Sequence, residues 1–158
     1  MTPSRQSYSV EEALKKMGRY CAYQDRCHHE VRQKLWEMNM IPEAIDHIMA
    51  YLIEHDFLNE QRFAESYTRG KFRIKNWGKV RIVSELKQRD ISQFIIRHSL
   101  RQITDQEYHK VLDGLARKRL EALANRTRME KKQKLASYLL YRGWENELVY
   151  DKIRELLD

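Results

Sequence analysis

The sequence predicts an all-α protein made of three tandem three-helix repeats in an elongated, curved array. Three observations carry this expectation. Only five Gly and two Pro stand among 158 residues, where average usage would place about 19 of the two together. Sheets and long loops consume both residues at their turns, so their scarcity argues against strands. Apolar residues recur at helical spacing along the whole chain. Six of those apolar positions recur in three registers, the signature of a repeat architecture.

The elements follow in order. Ser9 and Glu12 have the capping-box spacing, which opens a first helix with Ala13, Leu14, Met17 and Cys21 on one stripe. Cys27, Val31, Leu35 and Met38 form a second stripe. Pro42 suits the first turn of a third helix carrying Ile45, Ile48, Met49 and Leu52. Asn59 caps a fourth, with Phe63, Ala64 and Tyr67. Trp77-Gly78 reads as a break before a fifth stripe of Ile82, Val83 and Leu86. Ser92 caps a sixth helix with Ile95, Ile96 and Leu100. Thr104 and Glu107 repeat the capping-box spacing ahead of Val111, Leu112 and Leu115. An eighth helix holds Leu135, Tyr138 and Leu139 and stops at Gly143, and a ninth holds Leu148, Val149, Ile153 and Leu156.

The repeat shows in the spacing. Val31, Leu35 and Met40 recur 51 residues on as Ile82, Leu86 and Ile91, and a further 53 on as Leu135, Leu139 and Trp144. The match runs into each following helix through Ile45, Ile96 and Val149, then Met49, Leu100 and Ile153, then Leu52, Ile103 and Leu156. Residues 1–8 read as a tail, and 9–58, 59–103 and 104–158 as the three repeats. Units of roughly 50 residues are marginal alone, so neighbours share buried surface.

Composition narrows the function. With 42% hydrophobic and 34% charged residues, the chain is too charged for a membrane protein and too apolar for a disordered one. No run approaches the roughly 18 apolar residues of a membrane span. The start, MTPSRQSYSV, lacks the apolar centre of a secretory signal. Two cysteines do not make a disulfide scaffold, so the expected compartment is the reducing cytoplasm. No phosphate-loop, dinucleotide, nucleophile-elbow or zinc-protease motif occurs, and neither catalysis nor a cofactor is expected. Cys21, Cys27, His28 and His29 invite a zinc reading. Their spacing lacks the usual two to four residues between cysteines, and both thiols fall on apolar stripes, so no metal is expected.

The net charge of +7 is unevenly spread. Residues 69–89 hold eight cations, Arg69, Lys71, Arg73, Lys75, Lys79, Arg81, Lys87 and Arg89, against one carboxylate. Residues 117–134 hold eight more, Arg117, Lys118, Arg119, Arg126, Arg128, Lys131, Lys132 and Lys134, against two. Such blocks suit phosphates or an acidic protein groove. Phe72 and Trp77 interleave the first block as stacking platforms for bases or, alternatively, as core residues beneath a solvated face.

Four stretches carry a family resemblance. Glu30-Val31-Arg32-Gln33-Lys34-Leu35 resembles an E-L-x-x-K-L signature. Phe57-Leu58-Asn59-Glu60-Gln61-Arg62-Phe63-Ala64 resembles G-[YF]-[LI]-[DN]-[DE]-x-x-[FY]-A from its second position. Gly78 to Leu86 is similar to G-x-x-x-I-x-x-E-L, and Lys134 to Trp144 to K-L-x-x-Y-L-x-x-R-G-[FW]. In this order and spacing they resemble RecX, the bacterial regulator of RecA recombinase. Three departures stand at helix ends, where Asn39, Asp56 and Asp90 replace the family's glycines. Asn and Asp are the next best residues for a left-handed turn.

The resemblance implies three three-helix repeats and a non-enzymatic protein. It implies a chain that binds the RecA–DNA filament in its groove and restrains ATP hydrolysis, strand exchange and co-protease activity. DNA contact is expected to be weak and salt-dependent, and the chain to be a monomer. The alternative is a helical DNA-binding protein acting without a recombinase. Against it, the cations cluster at connections and helix starts and are not grouped on a recognition helix. Truncating Leu35, Leu86 or Leu139 to Ala is expected to cost about 2–5 kcal/mol each in urea unfolding, as for buried leucines.

Overall fold

The computed structural model describes residues 7–158; most of the expected tail, residues 1–6, lies outside them. The described residues form nine α-helices and no strand: α1 Val10–Tyr23, α2 His28–Glu37, α3 Pro42–Glu54, α4 Glu60–Arg73, α5 Lys79–Gln88, α6 Gln93–Leu100, α7 Asp105–Ala122, α8 Arg128–Tyr141 and α9 Asn146–Leu157.

Local chemistry sets the helix ends. The Glu12 N–H donates to the Ser9 hydroxyl, and the Glu12 carboxylate accepts from the Ser9 N–H, completing the capping box. Asn59, Ser92 and Thr104 each accept from the third residue of the helix that they open. Thr127 does the same for α8, a cap the sequence reading did not name. Asn39, Asp56 and Asp90 take positive φ of 61°, 61° and 59°, as their substitution for glycine predicts, and Asn76 joins them at 57°. Short polar side chains tolerate this left-handed turn at modest cost.

Close helix–helix packing runs within the triplets α1–α3, α4–α6 and α7–α9. All the recurring apolar positions are buried except Leu100 and Leu156, which are half-buried and pack against the same core. The chain exposes 10440 Å², where a compact monomer of 19.2 kDa would expose about 8,400 Å². The array is therefore extended.

The cores are not three. Ala13, Met17, Val31, Leu35, Ile48 and Leu52 belong to a core confined to the first triplet. A second core runs without interruption from Phe63 through Leu86, Leu112 and Leu139 to Ile153. Cys27, which the spacing placed on the α2 stripe, joins this second core. It sits at the N-cap of α2, where its sulfur accepts from the Glu30 N–H at 3.4 Å.

The second and third triplets are fused at the start of α5. Gly78 precedes that helix with no side-chain cap and no acidic residue in its first turn. The third triplet satisfies its free donors instead. The Gly78 N–H donates to the Arg142 carbonyl at 2.9 Å, and the Val80 N–H to the Gly143 carbonyl at 3.0 Å. Between them, the Lys79 N–H donates to the Tyr108 hydroxyl at 2.9 Å. The Tyr108 O–H in turn donates to Glu145. Burial, reinforced by that bond, pushes the Tyr108 pKa up and keeps the hydroxyl a donor. Trp144 stacks on Tyr108 at 4.5 Å and donates its indole N–H to the Asn76 carbonyl at 3.1 Å.

This approach leaves no room for side chains at either glycine. A Cβ on Gly78 would collide with the Gly143 backbone, and one on Gly143 with Arg81; Gly143 also has φ +90°. In contrast, a Cβ on Gly114, inside α7, would meet open space. Gly78→Ala is expected to destabilise by at least about 1–3 kcal/mol through overpacking. Gly114→Ala is expected to stabilise by roughly 0.5–1 kcal/mol through helix propensity. Urea midpoints moving in opposite directions would confirm the pair; a shared direction would refute it.

Candidate partner-binding surface

The two basic blocks fold into different surroundings. In the first, aromatic rings position the cations. The Lys71 ammonium lies 4.8 Å from the Trp77 ring centre and 5.3 Å from that of Tyr67. The Arg81 guanidinium lies 4.0 Å from Trp77 and 5.1 Å from Tyr141, and Lys79 lies 4.5 Å from Tyr108. Ring faces attract cations without neutralising them, so these charges stay available. Arg69 donates to the Gln102 side chain, and Arg73 pairs with Glu107 at 3.4 Å. Lys75 and Lys87 are exposed with no carboxylate partner among the described residues.

The stacking expectation is corrected for Phe72, which is completely buried beside Tyr108 and Trp144. It belongs to the second core, so no base reaches it. Trp77 is half-buried, with Lys71 and Arg81 over its ring.

In the second block, half of the eight cations are paired with carboxylates. Arg117 pairs with Asp113, and Arg126 with Glu130 one turn on. Arg128 and Lys132 both grip Asp158, at 3.2 and 2.5 Å. The Lys132 bond, then Arg128, hold the Asp158 carboxyl below the usual carboxylate range. Arg119 lies over Tyr138 at 4.8 Å. Lys118, Lys131 and Lys134 have no carboxylate partner among the described residues.

Arg89 of the first block and residues outside both blocks build the junction between the first two triplets. Arg62 reaches Asp25 at 2.8 Å and Asp56 at 3.1 Å. Arg89 is held by Glu85 at 2.9 Å and Glu30 at 3.6 Å. His28 meets Glu60 at 2.8 Å, and His29 meets Asp90 at 3.6 Å. The histidines that suggested zinc thus face carboxylates across the junction. No group of His, Cys, Asp and Glu among the described residues is arranged to hold a metal ion. No helix among them is long and apolar enough to cross a membrane.

These features define a class: a tandem array of three-helix domains with cations displayed on aromatic surfaces. Known proteins share the domains and the fold. Residues 59–100 match the second three-helix domain of RecX and residues 105–153 the third. The chain belongs to the RecX family. It is 28% identical over 145 residues to regulatory protein RecX of Enterococcus faecalis, covering 92% of this chain and 54% of that protein. With regulatory protein RecX of Clostridium acetobutylicum it shares 30% identity over 131 residues, covering 80% and 60%. The chain thus spans between half and two thirds of the length of these relatives. The crystal structure of RecX from Lactobacillus salivarius superposes with a TM-score of 0.78 at 26% identity, covering 93% of this chain and 96% of that one. A second crystal structure of regulatory protein RecX gives 0.81 at 25% identity, covering 92% and 73%.

Burial pushes the Cys27 thiol up to about 11. A raised acid favours its neutral form in the folded state. Its contribution to stability is complete below the ordinary thiol value of about 8.5 and is lost as pH climbs towards 11. In a Cys21→Ala protein at pH near 8.5, alkylation of Cys27 is expected to be far slower folded than in urea. Equal rates would show that the thiol is exposed.

Proposed function

We propose that this chain regulates RecA recombinase by binding the RecA–DNA filament and restraining its ATP hydrolysis, strand exchange and co-protease activity. Membership of the RecX family carries the reading. The extended array supports it, since a long chain of small domains suits a helical groove better than a compact body does. The three units, residues 9–58, 59–103 and 104–158, act as a cytoplasmic monomer along the filament. Binding that favours one filament state shifts the assembly equilibrium by its differential affinity. The unpaired lysines of both blocks meet DNA phosphates or acidic RecA surface.

RecA ATPase on single-stranded DNA is the decisive assay, and addition of this protein is expected to depress it. Replacing Lys87, Lys118, Lys131 and Lys134 with Gln is expected to weaken that inhibition by about tenfold or more, each lost phosphate contact flattening the log–log salt slope by about 0.7–0.9. Weakened inhibition with unchanged free-DNA binding would assign these lysines to RecA. DNA binding without any effect on ATPase would favour a DNA-binding protein independent of the recombinase.

A further inference from the structure

An open cleft of about 590 Å³ lies between the first triplet and the second. Its charges do not cancel. Two carboxylates line it, and both are engaged: Asp25 by Arg62 and Glu30 by Arg89. Four cations line it, and among the described residues only Arg89 is paired; Arg26, Lys71 and Lys75 have no carboxylate of those residues within 4.0 Å. Arg26 comes from the first triplet, whose sequence segment is net acidic and lies outside both basic blocks.

The cations are fixed in advance. The Arg26 guanidinium lies 3.7 Å from the Tyr20 ring centre, and its Nε donates to the Tyr20 carbonyl at 3.0 Å. That leaves its outer nitrogens free to donate. Lys71 rests on Tyr67 and Trp77. Less side-chain freedom is therefore lost when an anion arrives.

We propose that this cleft holds the backbone of a single-stranded nucleic acid, with phosphates on Arg26, Lys71 and Lys75. The proposal rests on the reading above that the chain meets DNA, and it names where. The volume is that of a small-molecule site and too small to admit a duplex. A phosphodiester strand is narrow and brings one charge per nucleotide. The rings beside the cleft are already covered, Tyr20 by Arg26 and Lys34, and Tyr67 by Lys71 and Arg89. Binding is therefore to phosphate and not by base stacking, and is independent of base sequence.

Anisotropy of a labelled 12-mer of deoxythymidylate with the full chain tests this. Arg26→Gln and Lys75→Gln are each expected to weaken binding about fivefold at 0.1 M salt and to lower the salt slope by about 0.7. Arg97→Gln, on the exposed side of α6 away from the cleft, is expected to change neither. A 12-mer of deoxyadenylate is expected to bind within about twofold of deoxythymidylate, because stacking is not used. Acetylation of Lys71 and Lys75 in the wild-type protein, read by mass spectrometry, is expected to slow when the 12-mer is present. Unchanged affinity in both cleft variants, or unprotected lysines, would overturn the proposal. So would displacement of the 12-mer by oligoglutamate as effectively as by unlabelled DNA, which would make the cleft a site for acidic peptide. RecA ATPase measured alongside keeps the two readings apart. Cleft binding with no ATPase effect refutes only the RecA regulation, and ATPase inhibition with no cleft effect refutes only the cleft.

Discussion

The start of α5 depends on a partner 64 residues away in the chain, since its first N–H groups donate to the carbonyls of Arg142 and Gly143 and to the Tyr108 hydroxyl. A helix N-terminus leaves its first donors unsatisfied, and burying them without partners is costly. Here the turn between α8 and α9 supplies two of the acceptors, and Tyr108 of α7 the third. Because the contact is backbone to backbone, only glycine fits at positions 78 and 143. Much else follows from it. Trp144 is drawn over Tyr108 and Phe72, and six helices share one core. Lys79 and Arg81 of the first block stand on Tyr108 and Tyr141, rings that the third triplet brings to this junction.

The other junction is built from different forces. Between the first triplet and the second, Cys27 is the buried apolar link, and the ion-pair ties among the described residues are Arg62 to Asp25 and Asp56, Arg89 to Glu30, and the two histidine–carboxylate pairs. Partly exposed ion pairs are individually weak and are screened by salt. The molecule thus combines a fused pair of domains with a first domain attached largely by charge. The open cleft falls at the second kind of joint, where no continuous apolar core fills the space between the domains. Charge pairing there also decides which cations remain free for a ligand.

The family motifs gain physical meaning in this frame. Gly78 of one stretch and Arg142-Gly143-Trp144 of another are the two halves of a single interlock. Glu30, from a third stretch, and Glu85, from the same stretch as Gly78, converge on Arg89. Asn59 caps α4 and Glu60 meets His28. The Glu30–Arg89 and Glu60–His28 pairs form only across the junction between the first two domains, so spacing within one helix does not reveal either.

What depends on near neighbours was legible in the sequence. Helix caps at Ser9, Asn59, Ser92 and Thr104, left-handed turns at Asn39, Asp56 and Asp90, and the buried faces carrying Leu35, Leu86 and Leu139 all follow from spacing and side-chain type. These are interactions within one or two helical turns, and the repeat made them visible three times. What depends on distant neighbours was decided by the tertiary structure. Phe72 lies inside a core shared by two domains, Cys27 leaves its own triplet for the next, and Asp158 neutralises cations 26 and 30 residues away. Arg26 gains its place in the cleft only when the first two domains meet. Periodicity specifies which face of a helix is buried, but not which helix buries it, because any apolar surface satisfies the hydrophobic effect.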